Sequence, residues 1–246
     1  MIIDNISVVI IASNADETIF ECLNNLNDFV EVILYLNNST DNTRTIAEKF
    51  NNVKIIEGTF TGFGDTRNKA TSFATKDWIL SLDSDEILNL KIIKEISTQT
   101  FIDENVVYTI KLDNYFLGAK TVSVDYKDRL YNKKYIKYDD SLVHEKIITN
   151  EKTKKILLEE SIKHLNITNI NQTLTKMIKY TDLGSKDKKM CFFSLVIAKT
   201  IFAFIQAYFL RFYILDGWRG FVIATTSANR RYYKYLKQFI NCQDIK

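Results

Sequence analysis

Asp83, Asp85 and Glu86 close the apolar run Trp78-Ile79-Leu80-Ser81-Leu82. An extended run that stops in three carboxylates gathers negative charge at a strand end. A divalent cation relieves that repulsion and can in turn hold a diphosphate. Alternate residues of an extended stretch share a side, so Asp83 and Asp85 form the expected pair. One would serve the metal, the other the nucleotide ribose or a metal-bound water. Glu86 would brace the loop or cap the next helix. Mg²⁺ or Mn²⁺ suits such oxygen ligands together with substrate phosphates. Asp-x-Asp alone also occurs on solvated turns, so the pair gains meaning only beside other groups.

Two further constellations supply them. Gly62-Phe63-Gly64-Asp65-Thr66-Arg67-Asn68 opens a helix. It lacks both the lysine-bearing phosphate loop and the dinucleotide glycine spacing. Arg67 would neutralise a phosphate or fix Asp83 through a forked hydrogen bond; the plain alternative is a surface arginine. The chain's two histidines are His144 and His164. Beside His144, the Glu145 carboxylate could take the proton of an incoming hydroxyl, with His144 ligating the metal or orienting the nucleotide phosphate. The alternative is a buried histidine next to a surface glutamate. His164 is a weaker candidate for the same phosphate region, and neither histidine has zinc-site spacing.

The elements that must position these groups read as α/β. Strands are predicted at 6–12, 30–36, 53–57 and 77–82. Helices are predicted at 17–26, 42–50 and 66–75, the second capped by the loop Asn37–Asp41. Such close alternation implies a mainly parallel sheet with helices on both faces. Ligands of such sheets bind beyond the carboxyl ends of the strands, so the loops 12–16, 36–41 and 83–86 should converge on one rim. From about residue 106 the rhythm changes to a mixed or antiparallel section.

The 246 residues, 46% hydrophobic, suit one sizeable core with an appendage. A net charge of +3 does not call for nucleic acid. Three scattered cysteines, Cys22, Cys191 and Cys242, point to a reducing compartment, and no secretion signal is visible. Residues 190–215 are apolar and aromatic but interrupted by Lys199 and Arg211. Lys188 and Lys199 would share a helix face, which fits a helix lying in a membrane surface better than one crossing it. A buried helical hairpin or a dimer face is the alternative. Arg230, Arg231, Lys234 and Lys237, among tyrosines, could meet anionic lipid headgroups or phosphorylated glycans; a solvated terminal helix is the alternative.

Taken together, these pieces resemble the family 2 glycosyltransferases, in particular the bacterial branch that adds glucose or a similar hexose to the lipopolysaccharide or lipooligosaccharide inner core. The resemblance rests on Ser7–Asn14, Asn38–Thr43, Phe63–Ala70, Asp77–Glu86, Arg129-Leu130-Tyr131, His144-Glu145 and Leu215-Asp216-Gly217-Trp218-Arg219-Gly220-Phe221. It implies a GT-A fold over 1–165 with a helical, membrane-associating extension over 166–246. It further implies a nucleotide-sugar donor, UDP-glucose by preference, with Mg²⁺ or Mn²⁺, inversion at the anomeric carbon, and a lipid-linked core oligosaccharide as acceptor on the cytoplasmic face of the membrane. Ala12, Ser13, Asn14 and Asp41 would line the nucleotide pocket, and Arg67, Asp83 and Asp85 would serve the sugar-diphosphate. Asp85 and His144 would hold the metal, and Glu145 would be the base. Where the family has an aspartate ending the second strand, this chain has Leu36 followed by Asn37, which can take its place. A metal-dependent nucleotidyltransferase and a non-catalytic membrane-associated scaffold are the competing readings.

Overall fold

The computed structural model describes residues 2–141, 145–186 and 188–243. Its parallel section is made of β1 (Ile3–Ala12), β2 (Phe29–Asn37), β3 (Val53–Gly58) and β4 (Trp78–Asp83). β1 lies between β2 and β4, and β3 lies outside β2. The connecting helices are α1 (Ile19–Asn24), α2 (Thr43–Ala47) and α3 (Phe63–Ser72), and α4 (Leu90–Ser97) follows β4.

The strands read as continuous apolar runs because both faces are covered. Val8, Ile10 and Ala12 of β1 pack in one cluster with Leu23 of α1 and Ile92 and Ile96 of α4. The alternate residues Val9 and Ile11 pack in another with Ala70 of α3 and Tyr131. Each face therefore removes its own set of side chains from water, at roughly 1.5–3 kcal/mol per large aliphatic group.

β5 (Glu86–Ile87), β6 (Val106–Phe116), β7 (Ala119–Asn132) and β8 (Lys154–Ile167) extend the sheet to the order β3-β2-β1-β4-β7-β6-β8-β5. β4 and β7 are antiparallel, as are β5 and β8. This is an α/β GT-A-like fold with a mixed sheet and a C-terminal helical extension. Several predicted boundaries shift. Helix α3 starts three residues earlier than expected, because Gly62 at φ 120° turns the chain into it. β6 runs through Asn114–Phe116. The turn is Leu117-Gly118, both with positive φ, which suits a two-residue hairpin.

The chain divides into two compact units: Met1–Asp113 with Asp125–Leu165, and Asn114–Val124 with Asn166–Lys246. The second holds α5 (Ile170–Ser185), α6 (Phe193–Ile205) and α7 (Gly217–Cys242). Ring contacts Phe193–Phe239 and Phe204–Phe221 set α6 and α7 side by side in opposite directions.

That arrangement pairs two of the scattered cysteines and corrects one expectation. Cys191, just ahead of α6, and Cys242, at the end of α7, are disulfide-bonded with Cα atoms 5.3 Å apart. Of the three cysteines only Cys22 is a free thiol, and it is buried. The 51-residue separation hid the pair, since only the helical hairpin joins its ends. Lys188 precedes α6 and shares no helix face with Lys199, whose ammonium lies 4.9 Å from the Tyr235 ring centroid on α7. With Lys199 so placed, α6 runs unbroken into a π-helical turn, Gln206–Leu210. The result is an 18-residue apolar helical stretch, Phe193–Leu210, that is long enough to cross a membrane and only 17% buried.

The Asp216-to-Phe221 piece has a local explanation. The Asp216 carboxylate accepts from Val122 N at 3.1 Å, Gly217 sits at φ 59°, and a Cβ on Gly220 would fall 1.6 Å from the Tyr213 carbonyl.

Candidate active site

β4 delivers Asp83 to its carboxyl end, and α3 and β7 bring two buried arginines to it. Arg67 Nη2 donates to Asp83 Oδ1, and Arg129 Nη2 donates to Asp83 Oδ2 at 2.6 Å and to Glu86 Oε1. Arg67 is 2% exposed and Glu86 1%. Arg67 Nη1 also donates to Ser81 at 2.9 Å, and its guanidinium faces the Tyr138 ring at 5.4 Å. Charges this deep persist only when paired and hydrogen-bonded.

Arg67 carries a further bond. Its Nε donates to Glu145 Oε1 at 3.1 Å, so one guanidinium joins the strand-end aspartate to a glutamate 78 residues from Arg67 in sequence. The segment bearing Glu145 is clamped to α3. Asn68 exchanges two hydrogen bonds with the Tyr138 backbone, at 2.9 and 3.0 Å. Asp139 N and Lys146 O, with the Tyr138–Ile147 bridge, close the segment on itself. A Cβ on Gly64 would stand 1.7 Å from the Asp139 carbonyl, so the close approach requires glycine there. The second oxygen of Glu145 has no protein partner among the described residues.

The titration of the cluster follows from this packing. Burial works to raise Asp83, but Arg67 and Arg129 outweigh it and hold the carboxyl well below the usual range. For Glu86, burial and the neighbouring Asp83 and Asp85 prevail over Arg129 and push it up to about 7. Burial disfavours charged His164, yet Asp85, Glu86 and Asp83 raise it above the ordinary histidine value.

The expected Asp83–Asp85 pair is corrected by these contacts. β4 ends at Asp83 and Ser84-Asp85 is a turn, so strand alternation does not reach Asp85. Asp83 faces the two arginines. Asp85 faces His164, with Nε2 and Oδ2 3.7 Å apart, an ion-pair distance too long for a hydrogen bond. Glu86 is a brace, accepting from Asp83 N at 3.2 Å. The cap of α4 is Asn89, which accepts from Lys91 N and Ile92 N. Arg67 is a core residue and not a surface arginine. Its expected fork does reach Asp83, with a second prong on Glu145.

The loops after β1 and β2 are knit to each other. Asn14 Oδ1 accepts from Thr40 N at 2.8 Å, Ala15 N donates to Thr43 Oγ1 at 2.8 Å, and Asp16 N donates to Asp41 Oδ2 at 2.9 Å. Asp41 also accepts from the Thr43 hydroxyl at 2.6 Å. Burial tends to raise its pKa, and these bonds bring it below the ordinary value. Asp41 thus shapes the rim, holding Ala12–Asp16 in place; Asn14 and Asn38, both at φ 51°, make the turns. Leu36 packs in the core, and Asn37 lies on the opposite face, 6% exposed, with Oδ1 lacking a partner. A buried carbonyl oxygen left so is suited to accept from a ligand N–H.

His144 lies outside the described residues. Among the described residues no three His, Cys, Asp or Glu side chains converge as metal ligands. Of the two aspartates at the strand end, Asp83 has both oxygens engaged, which leaves Asp85. One carboxylate completed by substrate phosphates and water is an accepted donor set for Mg²⁺, so the residues fit a metal that arrives with its substrate. Sequence reasoning named Arg129 only within Arg129-Leu130-Tyr131 and gave it no role, and it missed the His164–Asp85 pairing. The available signal for Arg129 was a charged residue heading the apolar strand segment Leu130-Tyr131.

The Glycosyl transferase family 2 profile matches residues 7–162. An uncharacterized glycosyltransferase of Rickettsia felis is 31% identical over 255 residues, covering 95% of this chain and 89% of its own. The poly(ribitol-phosphate) beta-N-acetylglucosaminyltransferase TarS of Staphylococcus aureus is 34% identical over 110 residues, 40% of this chain and 19% of its own. Among solved structures, S. aureus TarS 1-349 in complex with UDP-GlcNAc is similar with a TM-score of 0.48 and 21% identity. That likeness covers 65% of this chain and 58% of that one.

Proposed function

The chain belongs to glycosyl transferase family 2, and from this premise we propose that it is an inverting enzyme that moves glucose from UDP-glucose to a lipid-linked lipopolysaccharide or lipooligosaccharide core. That it acts on a nucleotide-sugar donor follows from the family. The observation that carries the mechanism is the Arg67 guanidinium bonded at once to Asp83 and to Glu145.

Glu145 keeps one oxygen on Arg67 and turns the other to the acceptor hydroxyl. It takes the hydroxyl proton as that oxygen attacks C1 of the donor sugar. The bond from C1 to the diphosphate oxygen breaks on the opposite side, which inverts the anomeric centre, and the nucleoside diphosphate departs. Asp83 holds Arg67, and through it Glu145, in place. The rim loops fixed by Asp41 cradle the nucleotide, with Asn37 accepting from the base. Asp85 would hold Mg²⁺ or Mn²⁺, which when bound offsets charge on the departing diphosphate. Orientation and charge stabilisation supply most of the acceleration.

We place the enzyme at the cytoplasmic face of the membrane, held peripherally by the exposed apolar helix of the second unit and by anionic lipid. A disulfide is uncommon in that compartment. Alkylation of Cys191 and Cys242 in intact cells tests the placement: trapped thiols support it, and fully oxidised cysteines overturn it.

The reaction is tested with a panel of UDP-glucose, UDP-N-acetylglucosamine and GDP-mannose against truncated core glycolipids, with and without Mn²⁺. Release of UDP with glucose transfer is expected. Glu145→Gln should lower turnover by about 10²–10⁴-fold without unfolding the chain. Release of pyrophosphate, or full activity in Glu145→Gln, would overturn the assignment.

A further inference from the structure

The second unit contains a cavity of about 370 Å³, within the usual range for small-ligand sites. Arg211 and Arg230 both line it, and no acidic residue does. Neither arginine has a carboxylate partner among the described residues. Thr173 on α5 lines the same cavity, nine-tenths buried, and its hydroxyl has no hydrogen-bond partner. Ser227 and Asn166 add further polar groups. Two cations and a buried hydroxyl without an acceptor form a recess built for an anion with several oxygens.

The surroundings of the recess are apolar and exposed. Arg211 is flanked by Leu210 and Phe212, each 62% exposed, and follows directly on the sparsely buried apolar stretch Phe193–Leu210. The other C-terminal cations are largely taken up. Lys237 pairs with Asp182 at 2.6 Å, Arg231 donates to Gln206, and Lys234 faces the Tyr235 ring. The basic tail is therefore not a uniform charged surface, and Arg230 is its member at the cavity.

We propose that this cavity binds the phosphate-bearing headgroup of a membrane amphiphile, with Arg211, Arg230 and Thr173 on the phosphate and the amphiphile's chains along the exposed apolar surface. The inference deepens the membrane part of the function proposed above and rests on it. It is independent of the transfer chemistry.

The test uses the full chain with vesicles of phosphatidylcholine alone or mixed with phosphatidylglycerol, read by co-sedimentation, and with glycerol 3-phosphate in solution, read by calorimetry. Stronger binding to the phosphatidylglycerol vesicles is expected, with competition by glycerol 3-phosphate. Arg211→Gln with Arg230→Gln should weaken that preference about tenfold or more, whereas Lys234→Gln, outside the cavity, should not. Thr173→Val should weaken headgroup binding severalfold while the melting temperature holds or rises, because an unpaired buried hydroxyl is removed; a purely structural threonine would lower both. An equal loss in Lys234→Gln, or an unchanged preference in the double arginine variant, would overturn the pocket while leaving membrane association standing. If no vesicle binds, the membrane reading falls, and this inference falls with it unless glycerol 3-phosphate binds in an Arg211- and Arg230-dependent way.

Discussion

In the first unit, Arg67 and Arg129 lie buried against Asp83, Glu86 and Glu145, and the aliphatic side chains of the strands sit inside two covered faces. In the second, Arg211 and Arg230 line a cavity without a carboxylate, and Ile201, Phe202, Leu215 and Trp218 stand more than half exposed. The first unit pairs its buried arginines with carboxylates of its own. The second leaves Arg211 and Arg230 without a carboxylate partner among the described residues, beside exposed apolar side chains.

The contrast can be broken where it is strongest. Arg129→Met leaves Glu86 buried without its partner and should cost roughly 3–5 kcal/mol in urea unfolding. A loss under 1 kcal/mol would show that the cluster is less closed to water than its burial suggests. Next come matched truncations. Leu82→Ala, in the covered sheet, should cost about 2–5 kcal/mol, whereas Leu215→Ala, 73% exposed, should stay within about 0.5 kcal/mol. Equal losses would mean that the apolar surface of the second unit is buried in solution.

Acid sharpens the comparison further. The folded-state pKa of Asp83 lies below its ordinary 3.8, so its stabilisation is complete above that value and is lost as pH falls through the depressed one. Wild type should show a steep acid limb below about pH 4 that Asp83→Asn flattens, at a lower starting stability. His164 gives the smallest effect and the opposite sign. Its folded pKa lies above 6.5, so its contribution is whole below pH 6.5 and fades as pH rises through the folded value. In metal-free buffer His164→Gln should remove a shallow decline in thermal stability on the alkaline side, and an identical slope in the variant would dissolve the Asp85–His164 pairing.

The alternation of strands and helices, the carboxylates at the end of the fourth strand and the helix carrying Arg67 were legible in the sequence because each is local. Apolar periodicity is set by the 2.0 and 3.6 repeats of the backbone, and a polar loop declares itself in a few residues. Beyond the Arg67–Asp83 contact, which carboxylate faces which cation was not legible. Asp83 and Asp85 are two residues apart, yet the turn at Ser84 sends one to Arg67 and Arg129 and the other to His164. Arg129 lies 46 residues from Asp83, Glu145 lies 78 from Arg67, and Cys242 lies 51 from Cys191. Those partners were fixed by the chain's path through the sheet and the helical hairpin. Burial of Arg67, Arg129 and Glu86 makes their pairings obligatory, but only the tertiary structure determines which groups are buried together.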